Sequence, residues 1–249
     1  MLAAAALILF LQDAPAVTDP AVQKRLTECM DLAAGNPSQG EAEAVRWRGE
    51  GGGYRARQCL GVAYANQERW AAAAGTFEDA AREAETAHEP RAADYWAQAG
   101  NAWLASGDAG KAKSALDAAL ASGVLTGQPL GETYLDRARA RVASGDLEGA
   151  RDDLDRALVN APDDPLGWLL SATLARRMND IKRAKTDIDE ALRRSPDDAS
   201  VQLEAGNVAV VMGDQETARS AWKRVIELAP GSRMADAARA ALEQFGAEQ

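Results

Sequence analysis

Along most of this chain, apolar residues fall four positions apart on one helical face, and the β-branched clusters that mark buried strands are nearly absent. The pattern predicts helices throughout, and it repeats. Three consecutive units spaced by 34 residues occupy 131–164, 165–198 and 199–232. Two more, 54–87 and 93–126, fit the same template with short insertions after them. A fixed period of this kind defines the architecture before any single element does.

Each shared column has a packing role. A small residue (Gly61, Gly100, Ala138, Ala172, Gly206) falls midway along the first helix of each unit, where the second helix must come close. The second helix carries Ala73, Ala112, Ala150, Ala184 or Ala218, and four positions later Phe77, Leu116, Leu154, Ile188 or Trp222, so both columns share one face. Gly107-Asp108, Gly145-Asp146, Asn179-Asp180 and Gly213-Asp214 predict a left-handed residue ending one helix and a cap opening the next. Pro162, Pro196 and Pro230 then stop the second helices.

These columns closely resemble the tetratricopeptide repeat, a 34-residue helix-turn-helix unit. The resemblance covers residues 54–232 and implies an all-α solenoid, a right-handed superhelix of about six helical hairpins. It departs from the family pattern at Arg141, Ala175 and Ala209, where Tyr64 and Trp103 supply the expected large residue in the first two units. Residues 17–53 read as a degenerate hairpin: an amphipathic segment from Ala21 to Ala33, a turn at Gly35-Asn36-Pro37, and a second helix near Glu41 to Arg48. Residues 233–249 have the pattern of a C-terminal capping helix, which an open stack needs to cover its last apolar face.

By the same resemblance, the first helices form a concave wall that binds an extended peptide or helix. Its residues are Gln58, Val62, Asn66, Asn101, Leu104, Leu135, Arg139, Leu169, Thr173, Arg176, Leu203, Asn207 and Val210. Asn101 and Asn207 fall where chaperone-binding members of the family hold a peptide carboxylate. The accompanying Lys is replaced by Ala97 and Leu203. The wall therefore mixes aliphatics, Asn and a few Arg, which suits apolar anchoring.

Charge narrows the partner classes. The net charge is −10, with 38 acidic and 28 basic residues, so nucleic acid and anionic membranes are disfavoured. The acidic runs DDLD from Asp152 and DIDE from Asp187 are expected mostly on the outer, solvated face, without the glycine-containing calcium loop. The N-terminal run Leu2 to Leu11, followed by Ala14-Pro15-Ala16, has the length of a signal-peptide core, and residues 1–16 are read as a cleavable signal despite the absence of Lys or Arg before the run. An uncleaved anchor, the one route to membrane contact, and a cytosolic adaptor remain as alternatives.

Candidate chemistry is sparse. The glycines from Gly49 to Gly53 lack the Gly-Lys-Ser/Thr ending of a phosphate loop, so they are read as a helix end and a tight reversal. His88 is the sole histidine and sits in an insertion. The only cysteines, Cys29 and Cys59, could be reactive, buried thiols or a disulfide. Because each lies in the first helix of its unit, and successive first helices pack side by side in the repeat family, a disulfide is expected in an oxidising compartment. No nucleophile, base and orienting group assemble from this set, and no cofactor or metal site is expected. The sequence thus predicts a non-catalytic scaffold in the bacterial cell envelope, with a protein or peptide partner and the option of self-association through its ends.

Overall fold

The computed structural model describes residues 19–247; the expected signal segment, 1–16, lies outside the described residues. Among the described residues all regular elements are helices. They pair as hairpins: α1 (Pro20–Gly35) with α2 (Pro37–Gly49), α3 (Gly53–Ala65) with α4 (Trp70–Thr86), and α5 (Ala92–Ser106) with α6 (Ala109–Ala121). Next come α7 (Gly127–Ala143) with α8 (Leu147–Asn160), α9 (Pro165–Arg177) with α10 (Ile181–Arg194), and α11 (Ala199–Val211) with α12 (Gln215–Leu228). The last helix, α13 (Arg233–Ala247), packs on α11 and α12. No helix of the described residues is long and apolar enough to cross a membrane.

Within each hairpin the small column receives the large one. A methyl group on Gly61 would stand 2.5 Å from the Phe77 ring, and Gly100 and Gly206 face Leu116 and Trp222 in the same way. Ala138 packs with Leu154, and Ala172 with Ile188. Since apolar burial contributes roughly 25 cal/mol per Å², this tight interlock at the buried Phe77, Leu116, Leu154, Ile188 and Trp222 helps to hold each unit together.

The turns follow from their dipeptides. Gly107, Gly145, Asn179 and Gly213 all have φ between 62° and 84°. The following Asp108, Asp146, Asp180 and Asp214 each accept a hydrogen bond from a backbone N–H three residues on, which satisfies one of the open donors of the next helix. The α8, α10 and α12 helices end two residues before Pro162, Pro196 and Pro230.

At the N-terminus, Asn36 caps α2 by accepting from the Gln39 N–H. Gly51 has φ of 89°, and a methyl group on Gly52 would meet the Trp47 ring at 2.6 Å, so the glycine run makes the reversal from α2 into α3. The buried Cys29 and Cys59 connect α1 to α3 with a Cα separation of 6.0 Å and their sulfurs within bonding distance.

Two carboxylates from the acidic runs are not solvated, contrary to the outer-face expectation for those residues. Asp153 is buried, accepting two hydrogen bonds from Arg137 and pairing with Arg141 at 3.1 Å. Asp187 is buried too, held by the Ser171 hydroxyl and by Arg183. Arg183 also reaches Asp155, and Arg151 joins it there, which links α8 to α10. Asp152 and Asp189 are exposed, as expected. The charges are paired where they leave water, Asp153 with Arg137 and Arg141, and Asp187 with Arg183.

Candidate functional site

A cavity of about 660 Å³ opens between α5, α7, the turn after α8 and the start of α9. An adjoining cavity of about 350 Å³ shares Asn101, Glu132 and Asp136 with it and continues along α5. On the other side, a slot of about 180 Å³ lies between α7 and α9 and shares Arg139 with the large cavity. Together they form one groove along the first helices of three successive units.

An irregularity in the repeat helps to build it. Residues 127–130, the insertion before the unit at Gly131, are helical and lengthen α7 by one turn. This adds Gln128 and Pro129 to the groove walls. The opposite lip is the turn Pro162-Asp163-Asp164, and Asp164 caps α9 by accepting from the Leu166 N–H.

The predicted wall divides into three groups. Asn101, Leu135 and Arg139 meet in the cavity of about 660 Å³, and Thr173 joins Arg139 in the slot. Gln58, Leu135 and Leu169 are buried; Gln58 accepts a hydrogen bond from the Tyr95 hydroxyl and so serves inter-helix packing instead of the wall. Val62, Leu104, Leu203 and Val210 are half-buried against the cores of their own units, while Asn66 donates to the Ala33 carbonyl of the preceding unit.

The Asn and Arg residues expected to receive a partner are already engaged. Asn101 donates to Asp136 at 2.8 Å, and Arg139 donates to the other oxygen of the same carboxylate at 2.9 Å. Arg176 donates two hydrogen bonds to the buried Glu204 at 2.7 and 3.0 Å, and Asn207 donates to Glu204 at 3.2 Å. The Glu204 hydrogen bond holds the Arg176 guanidinium pKa above its ordinary value, against the opposing effect of desolvation. Intramolecular carboxylates thus accept from the Asn101 and Asn207 amides, which the family resemblance had assigned to a peptide carboxylate.

Sequence reasoning missed the residues that give the groove its sign. Asp94, Glu132, Asp136, Asp163 and Asp164 line it, against Arg91, Arg139 and, in the slot, Arg177. The available signal was the coincidence of Glu132 and Asp136 on one first helix with an Asp-Asp pair in the following inter-unit turn.

Two tetratricopeptide-repeat sequence models match the chain, over residues 131–174 and 169–233. With the hairpin architecture above, they make the chain a tetratricopeptide-repeat protein. Among solved structures, it is similar to PilF of Pseudomonas aeruginosa, with 16% identity, a TM-score of 0.72, and coverage of 92% of this chain and 100% of that one. It is also similar to PilW, a widely conserved type IV pilus biogenesis factor, with 16% identity, a TM-score of 0.73, and coverage of 87% and 97%. YrrB, a repeat protein with an unusual peptide-binding site, aligns at 16% identity and a TM-score of 0.56 over 74% of this chain and 90% of its own. At these identities the likeness is one of fold. No curated protein matches the sequence.

Proposed function

We propose that this protein is a non-catalytic interaction scaffold of the bacterial cell envelope that holds a peptide or helix of a partner protein in the groove along α5, α7 and α9. The carrying observation is the continuous groove itself, in which three adjoining cavities run across first helices of successive units, the surface on which extended segments are recognised by alternating polar and apolar contacts. The envelope assignment is supported by the apolar run at Leu2 to Leu11, and by the fold shared with a pilus biogenesis factor. On this reading residues 1–16 are removed on export, and Cys29 and Cys59 form a disulfide.

A photo-crosslinking amino acid placed singly at Leu166, at the groove lip, or at Val159, an exposed residue of α8, separates groove binding from contact elsewhere. Expressed in its native cells, the protein should give a discrete adduct from position 166 and none from 159. Equal adducts from both positions, or none from 166, would remove the groove reading.

A further inference from the structure

Resting on that reading, we propose that the groove takes a peptide segment in which a Lys or Arg side chain stands beside an aliphatic one. The cation enters the acidic basin between α5 and α7, and the aliphatic side chain enters the slot between α7 and α9.

Five carboxylates face the basin: Asp94, Glu132, Asp136, Asp163 and Asp164. The two guanidiniums there do not neutralise it, because Arg139 donates to Asp136 and Arg91 pairs with Asp94 at 3.8 Å, leaving a surplus of negative charge. Glu132 is exposed and accepts from the neighbouring Gln128 amide alone, and Asp163 is exposed without an ion-pair partner, each among the described residues. Carboxylates without an ion-pair partner therefore remain in the basin, while both of its guanidiniums already face a carboxylate. The Asn101 amide, the group that would greet an incoming carboxylate, is held by Asp136. Within a Debye length of about 8 Å at physiological salt, such a basin repels a carboxylate and attracts an ammonium or guanidinium group.

The slot supplies an independent requirement. Its walls are Ala138, Val142, Leu154, Leu170 and Leu174, apolar side chains around a volume suited to one aliphatic group. Arg139 borders both compartments, so the cation and the aliphatic anchor are neighbours on the bound segment. The guanidiniums of Arg139 and Arg177 at the slot rim place the cation in the basin and exclude a second one from the slot.

The test pans random phage-displayed dodecapeptides against the full chain, then measures enriched peptides by fluorescence anisotropy. The variants are the double charge reversal Glu132→Lys with Asp163→Lys, and Thr173→Phe, which fills the slot. Enriched peptides should pair Lys or Arg with Leu, Ile, Val or Met. Charge reversal should weaken them by about tenfold or more, and so should raising salt from about 0.05 to about 0.5 M. Thr173→Phe should weaken them at both salt concentrations. Enrichment of acidic or uncharged peptides, or affinity unchanged by charge reversal, overturns the proposal; the groove reading survives in that case if Thr173→Phe still weakens binding. No enrichment, or peptides indifferent to all groove variants, overturns both.

Discussion

A single missing methyl group decides how the α3–α4 hairpin closes. Because a Cβ on Gly61 would stand 2.5 Å from the Phe77 ring, Gly61→Ala should destabilise the protein by about 1–3 kcal/mol through overpacking. Shortening the opposing side chain relieves the clash, so Phe77→Leu should cost less in the Gly61→Ala background than alone. Thermal unfolding of the double-mutant cycle measures this coupling; additive effects would show that the two columns do not meet. This contact was legible in the sequence because size alternated between columns in every unit. The engagement of Asn101 and Asn207 was not legible: it depends on Asp136 of the next unit and Glu204 of the same one, and residue type alone does not show which carboxylate a side chain will find. Arg141 carried a usable hint, since it is charged in a column that holds Tyr64, Trp103, Ala175 and Ala209 in the other units.

Elements were read well where local chemistry sets them. A left-handed Gly or Asn followed by a capping Asp defines a turn within four residues, so the boundaries between α5 and α6, α7 and α8, α9 and α10, and α11 and α12 fell where the dipeptides placed them. Residues 127–130 were expected only as part of a short insertion between units, yet they add a turn to α7, since Pro129 is well tolerated in a first helical turn. The α1–α3 connection carries the clearest test at this scale. With a sequence separation of 30 between Cys29 and Cys59, closing the loop should stabilise the native state by roughly 3 to 4 kcal/mol on the chain-entropy model. Denatured, unreduced protein purified from its native cells should show no reactive thiol by titration, and two reactive thiols would remove the disulfide. Reduction should lower the denaturation midpoint, with hydrogen exchange rising first in α1 and α2.

The molecule as a whole is a sum of units and their junctions, so its cohesion passes from neighbour to neighbour. The α13 helix closes the last junction by packing Ala238 and Leu242 with Ala209, Trp222 and Val225 of the final hairpin. The 34-residue period was readable from the sequence, and the solenoid followed from the family resemblance that the repeated columns carry. The sign of the groove was not, because it arises where an irregular insertion, one first helix and a distant turn converge.

The Arg176–Glu204 pair bears on whether these units can be reordered. The buried Asp153 and Asp187 find their counter-charges inside their own units, although Arg137 and Arg183 also reach Asp117 and Asp155 of the units before. Glu204 instead depends on a guanidinium supplied by the unit before it. Excising residues 165–198 would bring Val142, the residue in the column of Arg176, against Glu204 and strand a buried carboxylate without its cation. That shortened chain should lose about 3–5 kcal/mol beyond the loss of one unit, and Val142→Arg should restore much of it in chemical denaturation. The final unit is thus matched to its predecessor, and its place in the order of the chain is fixed by a lock whose key lies one unit upstream.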